Sequence, residues 1–204
     1  MNKHLIRRTA LVAAAGTASF VLAACGSNDD APTGHGSSAS ATASAAVSQG
    51  EHNAADIAFA KGMIPHHRQA VQMAGLAANR AQSAEITTLA GDIKKAQDPE
   101  IKTMSGWLTS WGEQVPAEGV VDHSMHGMDG MMTAEDMDSL KKTSGKAFDT
   151  AFLEMMIKHH EGAVEMAKTE KADGSFPDAK KMADAIITSQ SAEITRMKSL
   201  LDAS

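Results

Sequence analysis

Apolar residues in residues 53–79 recur as Phe59, Met63, Ala70 and Met73, with His66 filling the place between. The steps are 4, 3, 4 and 3, which is a seam on one face of a helix. Pro65 lies inside that pattern and predicts a kink just before the histidines. A second helix is predicted over 83–111, with the seam Ile86, Leu89 or Ala90, Ile93, Gln97, Glu100, Met104 and Leu108. Two members of that seam, Gln97 and Glu100, are polar, and Pro99 falls mid-helix. The pattern stops over residues 113–133, where Pro116, Gly119, Gly127 and Gly130 supply turns. Thr133-Ala-Glu-Asp136 has the form of an N-cap with an acidic first turn and predicts a short helix to about Lys142. A third long helix follows over 146–171, with the seam Phe152, Met156, His159, Ala163 and Met166. Gly174 ends it, and Pro177 stands at the favoured first-turn position of a fourth. That last seam is Met182, Ile186, Gln190, Glu193, Met197 and Leu200 or Leu201. No stretch alternates in the manner of a strand, so no sheet is expected.

The first and third long helices carry the same text. Met63-Ile64-Pro65-His66-His67 is echoed by Met156-Ile157-Lys158-His159-His160, at an offset of 149 − 56 = 93 measured from Asp56 and Asp149. The same offset maps Ile93 to Ile186, Gln97 to Gln190, Glu100 to Glu193 and Met104 to Met197. Two such helical hairpins predict an all-α four-helix bundle. Positions identical in both copies answer to something common to both halves. Positions that differ, Arg68 against Glu161 and Gln72 against Glu165, read as solvated.

Residues 1–24 change the picture of where the chain works. Lys3, Arg7 and Arg8 precede an apolar run that ends in Leu22-Ala23-Ala24-Cys25. This is the form of a lipoprotein signal, cut before Cys25, whose acylation anchors the protein to the outer face of a membrane. Arg7-Arg8 adds a faint twin-arginine character. Cys25 is the single cysteine, so no internal disulfide can form and no other thiolate is left for a metal. Residues 25–52 are rich in Ser, Ala and Gly and read as a flexible tether. Residues 53–204 remain for one bundle domain, interrupted by the bridge at 113–133. Loss of the leader removes three bases and no acid, leaving a formal charge of 16 − 25 = −9. That sign repels phosphate backbones and excludes nucleic acid as a natural partner. Aromatic residues are 3% with no tyrosine, so base or sugar stacking is poorly supplied.

Imidazole and thioether without thiolate is a donor set for copper, Cu(II) by nitrogen and Cu(I) by sulfur. The candidate ligands are His66, His67, Met63 and Met73 in one half and His159, His160, Met156 and Met166 in the other. Gln97, Glu100 and Met104, with Gln190, Glu193 and Met197, stand behind them, and the glutamates can fix the imidazole tautomer. A second cluster lies in the bridge, His123, Met125, His126, Met128, Met131 and Met132. His35 and His52 lie in the tether and mean little alone. Against this stands the blander reading of hydrogen-bonded core histidines among soft core methionines. A di-iron oxidase is disfavoured, because it needs inward Glu-x-x-His motifs and more inward carboxylates than Glu100 and Glu193.

The twin segments Phe59-x3-Met63-Ile-x-His66-His67-x2-Ala70-Val71-x-Met73-Ala74 and Phe152-x3-Met156-Ile-x-His159-His160-x2-Ala163-Val164-x-Met166-Ala167 resemble the bacterial family called domain of unknown function 305. So do Gln97-x2-Glu100-Ile-x2-Met104 and its copy from Gln190. The resemblance implies a ferritin-like helical fold, export, and copper handling as in the family's periplasmic copper-resistance proteins. It implies that the histidine pairs and flanking methionines are the ligands. The bridge lies outside the family signature. The expected protein is therefore a membrane-anchored, extracytoplasmic copper binder rather than an enzyme. It would sequester the ion or pass it to a partner copper protein. The alternatives are a metal-dependent oxidase and a module that holds no metal.

Overall fold

The computed structural model describes residues 51–118 and 130–203. The leader, Cys25, the tether before residue 51, and His123, Met125, His126 and Met128 lie outside the described residues. Five helices are present: α1 Ala54–Arg80, α2 Ala84–Ser110, α3 Ala134–Lys142, α4 Gly145–Asp173 and α5 Pro177–Asp202. No strand occurs among the described residues. None of their helices is long and apolar enough to cross a membrane. The fold is an all-α bundle in which α1 packs on α2 and α4, α4 packs on α5, and α3 rests on α4. The hydrogen-bonded helix continues on both sides of Pro65 in α1 and of Pro99 in α2. Burial of Ile64, His66 and His67 beside Pro65 outweighs the one lost amide.

Local chemistry sets the helix ends. The Asn53 side chain accepts the amides of Ala55 and Asp56, and Asp56 accepts the Asn53 amide, a reciprocal cap. Asp56 also reaches across to the other hairpin, where it accepts the amides of Ser175 and Phe176 at the start of α5. Asp149 of α4 returns the favour by accepting the amides of Gln82 and Ser83 at the start of α2. Each hairpin's turn is therefore clasped by an aspartate from the other. Both clasps place negative charge at a helix N-terminus, where the free amides and the dipole favour it.

Asp56 has a second buried carboxyl beside it. Glu170 is 1% exposed, and as a carboxylate neither of its oxygens would have a partner. Burial, then the hydrogen bond and charge of Asp56, push Glu170 up to about 8, with Asp173 adding to this and Lys180 opposing it. Burial alone would raise Asp56, but the bond from Glu170 and the amides of Asn53, Phe176 and Ser175 hold it below its ordinary value. Glu170 is thus a protonated acid donating to the Asp56 carboxylate. The folded chain keeps this proton to about pH 8, and the unfolded chain releases it near 4.5. Between those values the folded state binds more protons, so stability falls as pH rises, by up to about 1.4 kcal/mol per unit. Urea unfolding at pH 6 and pH 8.5 should show the loss, and Glu170→Gln, which keeps a donor toward Asp56, should flatten it.

The apolar core is in two parts. One gathers Ala70 and Met73 of α1, Ile86 to Ile93 of α2, Met132, Met137 and Leu140, Phe148 to Ile157 of α4, and Met197 of α5. The other gathers Phe59 to Ile64 of α1, Met104 and Leu108 of α2, Ala163 and Ala167 of α4, and Ala179 to Ile186 of α5. Between them along α1 and α4 stand His66, His67, His159 and His160, all at most 1% exposed. A polar waist thus divides the interior at mid-height.

Candidate metal centre

The heptad spacing that places Met63, Ala70 and Met73 in the core places His66 there too, and its counterpart His159 comes in from α4. The two rings lie against each other, centroids 3.7 Å apart and planes 40° apart. An ion held linearly between two imidazoles, with metal–nitrogen bonds near 2 Å, would set the centroids roughly 6 Å apart. The two rings are therefore closer together than a linear ion bridge between them would leave them.

His67 and His160 are the neighbouring positions, turned toward α2 and α5. His67 Nε2 meets Glu100 Oε2 at 2.8 Å, and His160 Nε2 meets Glu193 Oε2 at 2.7 Å. The imidazoles are fully buried while the glutamate side chains are about one-fifth exposed, at 21% and 19%. A carboxylate on Nε2 makes that nitrogen the proton carrier, which leaves Nδ1 with the lone pair a metal takes. Nδ1 of His67 and of His160 is buried and has no hydrogen-bond partner. The same holds for Oε1 of Gln97 and of Gln190, residues only 2% and 3% exposed. A buried polar atom left without a partner costs about 1–3 kcal/mol, so each of these four is costly to bury bare. His159 is held neutral, its pKa driven well below 6.5 by burial first and by His66, His160 and His67 next. Neutral imidazole is the form that binds metal.

The thioethers divide between the two apolar parts. Met63, Met104 and Met166 pack in one, and Met73, Met132, Met156 and Met197 in the other. All are buried except Met166, which is partly so. Among the described residues no three His, Cys, Asp or Glu side chains form a metal-holding group. The polar atoms at this level are imidazole nitrogens and amide oxygens, with thioethers packed in the apolar parts on either side and no acidic cage among the described residues. That donor set fits copper and other soft ions.

Of the bridge residues that the structure describes, Met131 is partly exposed and Met132 is buried in the core. Arg68, expected to be solvated, is half-buried, and its Nη1 donates to the carbonyls of Pro116 and Ala117. Glu161, Gln72 and Glu165 are exposed as their variation between the copies implied. Sequence reasoning missed Gln69, which is buried and bonded to the main chain of Met132. Its counterpart is Gly162, so a search for positions shared by both copies passes over it.

A family model described as "Domain of unknown function (DUF305)" matches residues 56–201. No curated protein matches the chain. A crystal structure of a putative secreted DUF305 protein from Streptomyces coelicolor is 34% identical, with a TM-score of 0.66, covering 73% of this chain and 93% of that one. A DUF305 fragment from Deinococcus radiodurans is 28% identical, with a TM-score of 0.67, covering 74% and 98%. CopM in its Cu(I)-bound form is 36% identical, with a TM-score of 0.62, covering 72% and 96%. CopM has also been solved in Cu(II)-bound and silver-bound forms.

Proposed function

The chain belongs to the DUF305 family, and from that premise we propose that it is an exported copper-binding protein that stores the ion or passes it on. The observation that carries this reading is the buried waist, four imidazoles at one level, with the unpartnered Nδ1 of His67 and His160 and amide oxygens of Gln97 and Gln190 beside them. Binding of Cu(I), Cu(II) and silver by the similar CopM supports it. His66, His67, His159 and His160 hold the cargo, with Met63, Met73, Met156 and Met166 as the soft donors. Glu100 and Glu193 keep His67 and His160 in the ligating tautomer. The bridge histidines and methionines form a second set. Thioethers exchange readily with a partner's ligands, which suits delivery as well as storage. The signal pattern before Cys25, and the secreted relative from Streptomyces coelicolor, support export, with the lipidated Cys25 as anchor.

The test is competition for Cu(I) against a chromophoric chelator, using mature protein from a native envelope and followed by elemental analysis. Retention of copper against the chelator is expected; protein that neither carries nor competes for copper would end the proposal. Glu100→Gln and Glu193→Gln should each weaken copper binding by about 10- to 100-fold, the usual cost of losing the partner of a ligating imidazole. Circular dichroism should show the helices intact, since both positions are partly solvated.

A further inference from the structure

Resting on the copper reading, we infer that residues 130–132 form a strap across α1 and α4 at which Met131 takes up a soft ion and hands it to the histidine waist. Gly130 has φ +87 and lies directly on the main chain of α4. A Cβ there would stand 2.6 Å from the Lys158 carbonyl oxygen and 3.0 Å from both Gly162 Cα and the His159 carbonyl oxygen. Only glycine fits, on conformation and on space. On the α1 side the Gln69 amide holds Met132 from both directions. Nε2 donates to the Met132 carbonyl at 2.9 Å, and the Met132 amide donates to Oε1 at 2.7 Å, both buried.

Gln69 follows His66 by three residues and Gly162 follows His159 by three, so both seats are one helical turn from the stacked rings. The bridge is fastened at its other end too, where Arg68 holds Pro116 and Ala117. The two copies differ at these points, Arg68 against Glu161 and Gln69 against Gly162. A plain linker between hairpins requires neither a buried two-bond clamp nor a glycine pressed on the helix. These features fix the main chain on either side of Met131 against α4 and α1, one turn from the waist, and leave Met131 itself partly exposed. Transfer there is ligand exchange without redox change. One Cu(I)–sulfur bond breaks as a Cu(I)–nitrogen bond forms, and the ion keeps its charge.

The experiment is stopped-flow loading of the mature protein with Cu(I) released from a chromophoric chelator. Met131→Leu keeps the bulk and removes the sulfur; Gln69→Ala frees Met132. Both should load about tenfold more slowly or worse, the gain a tethered ligand provides through local concentration. Copper held by the histidine waist at equilibrium should be unchanged, any loss being confined to the share of the bridge, and Met131→Leu should melt where the wild type does. Loading of Met131→Leu at the wild-type rate overturns the handover, and slowing in Gln69→Ala alone reduces the strap to a structural clamp and overturns it equally. Failure of the copper reading looks different: the unchanged protein would then take up no Cu(I) from the chelator at any rate.

Discussion

Changing His66, His67, His159 and His160 together to Ala removes most Cu(I) binding from the mature protein. All four rings stand at one level of the interior, two tilted against each other at 3.7 Å and two oriented by glutamates. Among the described residues no group of three His, Cys, Asp or Glu is preformed to hold an ion, so no other cluster stands ready to take it over. What remains should be the capacity of the bridge, which deletion of residues 121–129 removes separately. That deletion stops short of Gly130 and Met132, which are seated in the bundle. Copper stoichiometry unchanged in the fourfold variant would exclude the waist as the site. Loss only on deleting the bridge would move the site to the bridge. Four truncations in a packed interior leave cavities that can cost several kcal/mol in all. His67→Gln with His160→Gln is therefore the companion variant, because glutamine can still bond to Glu100 and Glu193. It should keep its helical circular dichroism and still lose at least about tenfold in affinity, roughly 1.4 kcal/mol.

Saturating Cu(I) raises the melting temperature by about 8–16 °C. A ligand that binds only the folded state at a thousand times its Kd stabilises by about 4 kcal/mol. For a domain of this size each kcal/mol moves the midpoint by roughly 2–4 °C. The shift has a structural origin, because the ion would satisfy the Nδ1 atoms of His67 and His160, which the bare fold buries without partners. Calorimetry with chelator-buffered Cu(I) should show it, with silver giving a comparable shift and magnesium none, since hard ions prefer oxygen cages. Identical melts with and without copper would favour histidines that serve packing alone.

The helices were legible because their signals are local and periodic. The Phe59–Met73 seam, the Thr133 cap and Pro177 at a first turn place boundaries within a few residues of those seen. The pairing of His67 with Glu100 and of His160 with Glu193 was legible because both copies keep it. What the copies do not share was invisible to that comparison. Gln69 and Arg68 hold main-chain atoms of the bridge, and such bonds leave no residue pattern in the partner. The acid pair of Glu170 and Asp56 stayed hidden for a related reason: Ala77 occupies the matching place in the first copy. The helical face alone does not say that a glutamate points inward when its partner is another acid on a different hairpin.

The crossed aspartate clasps carry one more consequence. Asp56 secures amides of the second hairpin, and Asp149 secures amides of the first. Cut apart, each fragment would lose the lock on its own bend and bare one imidazole couple to water. The pieces are obligate companions, and a nick in the connecting stretch should leave them mated rather than adrift.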